Sequence, residues 1–146
     1  MSSSTPSVDP RGLRFGATIT SLVLVGTIIA PAGVREVLLA LQVAAFAIGA
    51  FIGPAATPQS KLFAKAVRPR IGAPKELEDA RPPQFAQAVG LAFTLPALAF
   101  FLAGFTTVGL VLVGLALTAA LLNAATGFCL GCEMYLVTRR LAKQLV

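Results

Sequence analysis

Val108 to Leu130 reads VGLVLVGLALTAALLNAATGFCL, an apolar run with no charged residue. A helix rising about 1.5 Å per residue needs roughly 20 residues to cross about 30 Å of hydrocarbon, so this run predicts a membrane span. Three others read the same way: Phe15 to Ala30, Val37 to Ile52 and Phe85 to Leu102, each bounded by Pro, Gly or charges. Only 12% of the 146 residues are charged, 56% are apolar, and the mean hydropathy is +0.82. An ordinary soluble domain carries about a quarter charged residues. Backbone polar groups in lipid must be satisfied within the chain, so the expected fold is all-α, a bundle of four transmembrane helices.

Outside the spans, residues 1–14 are polar, contain Pro6 and Pro10, and read as a disordered arm ending in Arg11 and Arg14. The first span resembles a secretory signal in having basic residues before it and Ala30-Pro31-Ala32 after it, but its length favours a retained helix. In the second, Ala45, Gly49 and Gly53 recur every four positions, a face that lets another helix approach closely and offers a route to a homo-oligomer. The third starts behind Pro82-Pro83, with a kink expected at Pro96. Residues 15–135 thus form the membrane domain, with a connecting loop over 53–84.

Charge gives the orientation. Arg11, Arg14, Lys61, Lys65, Arg68, Arg70, Lys75, Arg81, Arg139, Arg140 and Lys143 are eleven of the twelve basic residues, and only Arg35 lies on the other side. Retention of basic segments in the cytoplasm predicts a multi-pass cell-membrane protein with both termini inside. This sorting also explains the net charge of +6 without nucleic acid. Within the loop, Ser60 is expected to cap a short amphipathic helix, Lys61 to Val67, resting on anionic lipid. Residues 136–146 read as a basic amphipathic tail, and the loop and tail together offer a docking surface for a soluble protein.

The chemistry is concentrated in NAATGFCLGCEMY, Asn123 to Tyr135, which holds both cysteines as Cys129-x-x-Cys132. On one continuous helix, Thr126, Cys129 and Glu133 share a stripe, with Asn123 at its edge and Arg140 two turns on as the cation placed to pair with Glu133. On that geometry the thiols sit at the negative end of a helix, beside a carboxylate. A break at Gly127 or Gly131 would instead put amide donors next to a sulfur and favour thiolate. Gln42 reads as a hydrogen bond between helices and Tyr135 as an interfacial anchor. A faint echo links the halves: Phe15-Gly16-Ala17 with Phe85-Ala86-Gln87, and Gly49 to Gly53 with Gly127 to Gly131. That register sets Phe51 opposite Cys129 and Pro54 opposite Cys132.

Asp9-Pro10-Arg11, RPRIGAPKELEDARPPQFAQAVG from Arg68 to Gly90, and LLNAATGFCLGCEMYL from Leu121 to Leu136 resemble the bacterial integral membrane family called domain of unknown function 4395. The resemblance covers nearly the whole chain. It implies a small multi-spanning protein, mostly from actinobacteria, with no established activity and no catalytic residues to carry over.

Three functions follow from these residues. The leading one is a dithiol at the cytoplasmic face, with Cys129 and Cys132 exchanging electrons or sulfur with a cytosolic thiol or sulfur-transfer protein and Glu133 accepting a proton. In a reducing compartment its resting form is expected to be two free thiols. No cofactor is required. The second is a carrier or channel for a soft metal ion or sulfur compound, with the same two cysteines as ligands. The third is a non-catalytic scaffold in which both cysteines only pack.

Overall fold

The computed structural model describes residues 7–145. Helix α1 spans Pro10–Ile29 and starts before Phe15 because Asp9 caps it: the Arg11 amide donates to Asp9 Oδ1 at 3.0 Å, and Pro10 loses nothing in the first turn. The expected arm is therefore ordered from Ser7 onward. Its strand β1, Ser7–Val8, pairs antiparallel with β2, Glu78–Asp79, placing Ser7 opposite Asp79 and Val8 opposite Glu78. Residues 1–6 of that arm and Val146 of the tail lie outside the described residues.

Helix α2, Val34–Phe51, ends at Gly53, whose φ of 147° closes a helix end that a side chain would strain. The loop that follows is largely helical: a tight turn at Pro54–Ala56, α3 at Pro58–Leu62, a wider turn at Phe63–Val67, and α4 at Arg68–Ile71. Thr57, not Ser60, caps α3, because the Ser60 amide donates to Thr57 Oγ1 at 3.2 Å. Helix α5, Arg81–Leu102, begins with Pro82 and Pro83 and continues through Pro96.

The last span, α6, runs over Thr106–Thr126 and stops short of Leu130. Gly127 takes a left-handed conformation, φ 78°, and its amide returns to Asn123 O at 2.8 Å; the Phe128 amide donates to Thr126 Oγ1 at 3.2 Å. The chain restarts as α7, Leu130–Leu145, so the basic tail begins at the cysteines rather than at Leu136.

Helices α1, α2, α5 and α6 are each long and apolar enough to cross a membrane. They close a ring in which α1 packs on α2, α2 on α5, α5 on α6 and α6 on α1, while α3 rests on α1 and α7 on α5. Outward residues such as Leu22, Leu41, Phe51, Leu95 and Val111 remain exposed, as lipid-facing side chains do. The core gathers Leu24, Leu39, Ala97, Phe101, Val113 and Ala116 towards the end that carries Arg35.

The ring is two copies of one unit, with α1, α2 and α3 matching α5, α6 and α7. Among the core residues and buried threonines, six have no exposed surface at all: Leu24, Thr27, Leu39, Thr94, Ala97 and Val113. They form three matched pairs, Leu24 with Thr94, Thr27 with Ala97, and Leu39 with Val113. Val8 and Glu78 are also matched, and they face each other across the strand pair as a two-fold axis requires. Matched capping bonds join the copies: Gln84 Nε2 donates to Ala50 O at the end of α2, and Arg14 Nη2 donates to Ala124 O and Ala125 O at the end of α6. Gly53 therefore corresponds to Gly127, which corrects the register drawn from glycine spacing alone. Repeated Ala and Gly had left that alignment free to slip by one helical turn.

Candidate functional site

The starts of α1 and α5 and the ends of α2 and α6 lie together at one end of the bundle, fixed there by the strand pair and the two capping bonds. At this end the break at Gly127 turns Cys129 into the residue before α7. Its Sγ accepts from the Cys132 amide at 3.2 Å, and its carbonyl accepts from the Glu133 amide at 3.0 Å. The positive end of α7 therefore points at sulfur, and negative charge on Cys129 is stabilised there. Of the two geometries open to the sequence, this is the broken helix. Cys129 and Cys132 are joined as a disulfide with Cα atoms 5.2 Å apart, so the structure holds the oxidised form rather than the two free thiols expected at rest.

The break also redistributes the expected polar stripe. Thr126 turns its hydroxyl to Leu122 O at 2.6 Å and serves the helix end. Glu133 occupies the first turn of α7, exposed, where a carboxylate suits the helix dipole. No ion pair joins it to Arg140 among the described residues. Arg14, expected in the arm, instead supplies the cation at the end of α6. Asn123 lines the space beside the cysteines, and its amide makes no hydrogen bond to a described residue.

That space is a cavity of about 800 Å³ between the helices. Its lining runs from Thr57, Ser60, Asp79, Cys129 and Cys132, at the end with the strand pair, to Thr20, Phe46 and Ala116, the last a member of the core. Thr57 and Ser60 were not foreseen as part of any site. They match Cys129 and Cys132: both pairs begin a helix at the same place in the repeat, and both bond the first residue's side chain to an amide three residues on. The signal was present as T-x-x-S shortly after Gly53, against C-x-x-C shortly after Gly127.

A second constellation is duplicated at this end of the bundle. Asp9 accepts from Arg11 Nη2 at 2.9 Å, with Arg68 Nε 3.5 Å away; Asp79 accepts from Arg81 Nη2 at 2.7 Å. Arg68 lies over the Phe63 ring and Arg139 over the Tyr135 ring. Phe63 in turn packs on Phe15 with centroids 5.6 Å apart, and Tyr135 on Phe85 at 5.8 Å. Hydrogen bonds from Arg11 hold the Asp9 carboxyl below the usual carboxylate range against the opposing effect of burial. Those from Arg81 do the same for Asp79, with a smaller contribution from Arg139.

The remaining candidate residues serve packing. Gln42 is buried and donates to Thr20 Oγ1 at 3.4 Å, a bond between α2 and α1. Ala45 is buried, and Gly49 receives the Gln87 side chain of α5, so this face is used within the chain. Gly53 lies beyond the helix with open space around it. Among the described residues no group of three or more His, Cys, Asp or Glu is assembled; reduced Cys129 and Cys132 alone would supply two soft ligands.

The chain belongs to the family described as domain of unknown function DUF4395, whose sequence profile matches residues 8–140. No curated protein and no solved structure matches it.

Proposed function

With membership of a family of unassigned activity as the premise, we propose that this chain is a membrane-embedded dithiol–disulfide protein acting at the cytoplasmic face. The observation that carries the reading is the Cys129 sulfur at the start of α7, bonded to the Cys132 amide and opening on a cavity. A buried packing cysteine has no use for a helix break, an amide donor and an adjoining space. Sidedness rests on charge: eleven of the twelve basic residues belong to segments at or following this end, which favours its retention in the cytoplasm. A soluble thiol protein would reach the pair across the loop from Pro54 to Arg81 and the exposed face of α7, with Glu133 as nearby proton acceptor.

The test uses inside-out and right-side-out vesicles. After reduction, a membrane-impermeant maleimide is expected to label Cys129 and Cys132 in inside-out vesicles only, and the pair to titrate reversibly against a dithiol–disulfide buffer. Labelling from the outer face alone overturns the sidedness, and failure to cycle in any buffer overturns the redox role.

A further inference from the structure

Because the two copies share their helix order, strand pairing and capping bonds, the places where they differ bear on function. In the α2–α5 pair the interior is filled: the Phe46 ring covers Gly90, where a Cβ would lie 2.7 Å from it, and Gln87 covers Gly49, where a Cβ would lie 2.6 Å from it. The matching positions in the α1–α6 pair are Ala120 with Thr20 and Asn123 with Ala17. A ring is thus replaced by a methyl group on the side that carries the disulfide. All four of those residues line the cavity, and Phe46, Gln87 and Gly90 form its opposite wall. Thr20 lies ten residues along α1, so the space extends ~15 Å from the start of that helix, about half the hydrocarbon thickness. Among the lining residues, the Asn123 amide and the Nε and Nη1 of Arg14 donate to no described residue, and Phe46 and Phe93 add aromatic surface.

We propose that this cavity takes a lipid-soluble quinone that accepts electrons from Cys129 and Cys132. The inference rests on the redox reading above and names its electron acceptor. Three properties of the occupant follow from the walls and a fourth from the thiols. It is apolar enough to reach about half-way into the bundle, able to pack beside Phe46 and Phe93, and supplied with carbonyl acceptors for Asn123 and Arg14. It also carries two electrons and two protons, because a dithiol releases that number on forming a disulfide. The step balances: two S–H bonds break, the S–S bond forms, and the two electrons and two protons convert both quinone carbonyls to hydroxyls. The volume of about 800 Å³ suits a ring with part of its tail.

The experiment uses the full chain in lipid nanodiscs, reduced, freed of reductant and kept anaerobic, with a short-tailed ubiquinone analogue as probe. The expected result is one hydroquinone formed for each pair of thiols lost, read by quinone absorbance and thiol titration. Ala120→Phe restores the ring of the filled copy and is expected to slow quinone reduction at least tenfold; Ala120→Leu is a milder filler should the first not fold. Gly114→Phe, on an open part of α6 outside the cavity, is expected to leave the rate unchanged. Equal rates in the wild type and both filled variants overturn the proposal. So does an absence of hydroquinone while the wild-type pair still cycles in a dithiol–disulfide buffer, an outcome that leaves the redox reading standing. If the pair cycles with neither, that reading falls with it.

Discussion

Thr57 and Cys129 hold the same place in two copies of one unit. Thr57 Oγ1 accepts from the Ser60 amide and Cys129 Sγ from the Cys132 amide, each at 3.2 Å. The cysteine pair is thus one of two equivalent helix starts, and the other carries hydroxyls.

This equivalence predicts that Thr57→Cys with Ser60→Cys, placed in a Cys129→Ser, Cys132→Ser background, forms a disulfide under the same mild oxidant as the native pair. Mass spectrometry after alkylation reads it directly. Two alkylated thiols, under conditions that leave the native pair blocked, would show that the two helix starts differ in geometry.

Docking of α7 on α5 depends on Gly131, where an added Cβ would lie 2.5 Å from Ala86 Cα. Backbone cannot yield as a side chain can, so Gly131→Ala is expected to destabilise by about 1–3 kcal/mol. Gly114→Ala, which meets nothing within 4 Å, is expected to be neutral or slightly stabilising. Thermal unfolding in one detergent compares them, and equal midpoints would contradict the packing described.

Arg14 closes the end of α6 from the first turns of α1, through Ala124 O at 3.2 Å and Ala125 O at 3.1 Å. Removing it in Arg14→Ala leaves those carbonyls without a charged donor, at a cost of about 1–2 kcal/mol. The loss is expected to be local, appearing as faster amide hydrogen exchange over residues 124–132. Exchange unchanged there, or raised uniformly along the chain, would argue against the bond.

Acid should act through the two aspartates. A carboxyl held below its ordinary range in the folded chain contributes stability that is present above the unfolded value of about 3.9 and is lost as pH falls through the folded one. Stability is therefore expected to be level from pH 7 to about 5 and to decline below about 4. Asp9, whose side chain is 1% exposed, should dominate: Asp9→Asn is expected to cost about 2 kcal/mol at neutral pH and to flatten the acid limb. The Asp79 side chain is 35% exposed, and Asp79→Asn should cost under about 1 kcal/mol. An acid limb of wild-type steepness in Asp9→Asn would refute the assignment.

Sequence alone determined the four spans, the gathering of Arg and Lys into particular segments, and the spacing of Cys129 and Cys132. Lipid demands an apolar surface and internal hydrogen bonds wherever the chain crosses, and that demand is written in composition. It writes nothing about partners: when Leu, Val, Ala and Gly are spread over every face of α6, periodicity cannot say which face meets α1. Contact across the fold decided that the last span ends at Gly127, that Arg14 caps it, and that Thr57 and Ser60 stand where the other copy has cysteines. The cavity beside the sulfurs likewise is lined by Ala120 of one helix and Thr20 of another, a relation between residues far apart in the chain.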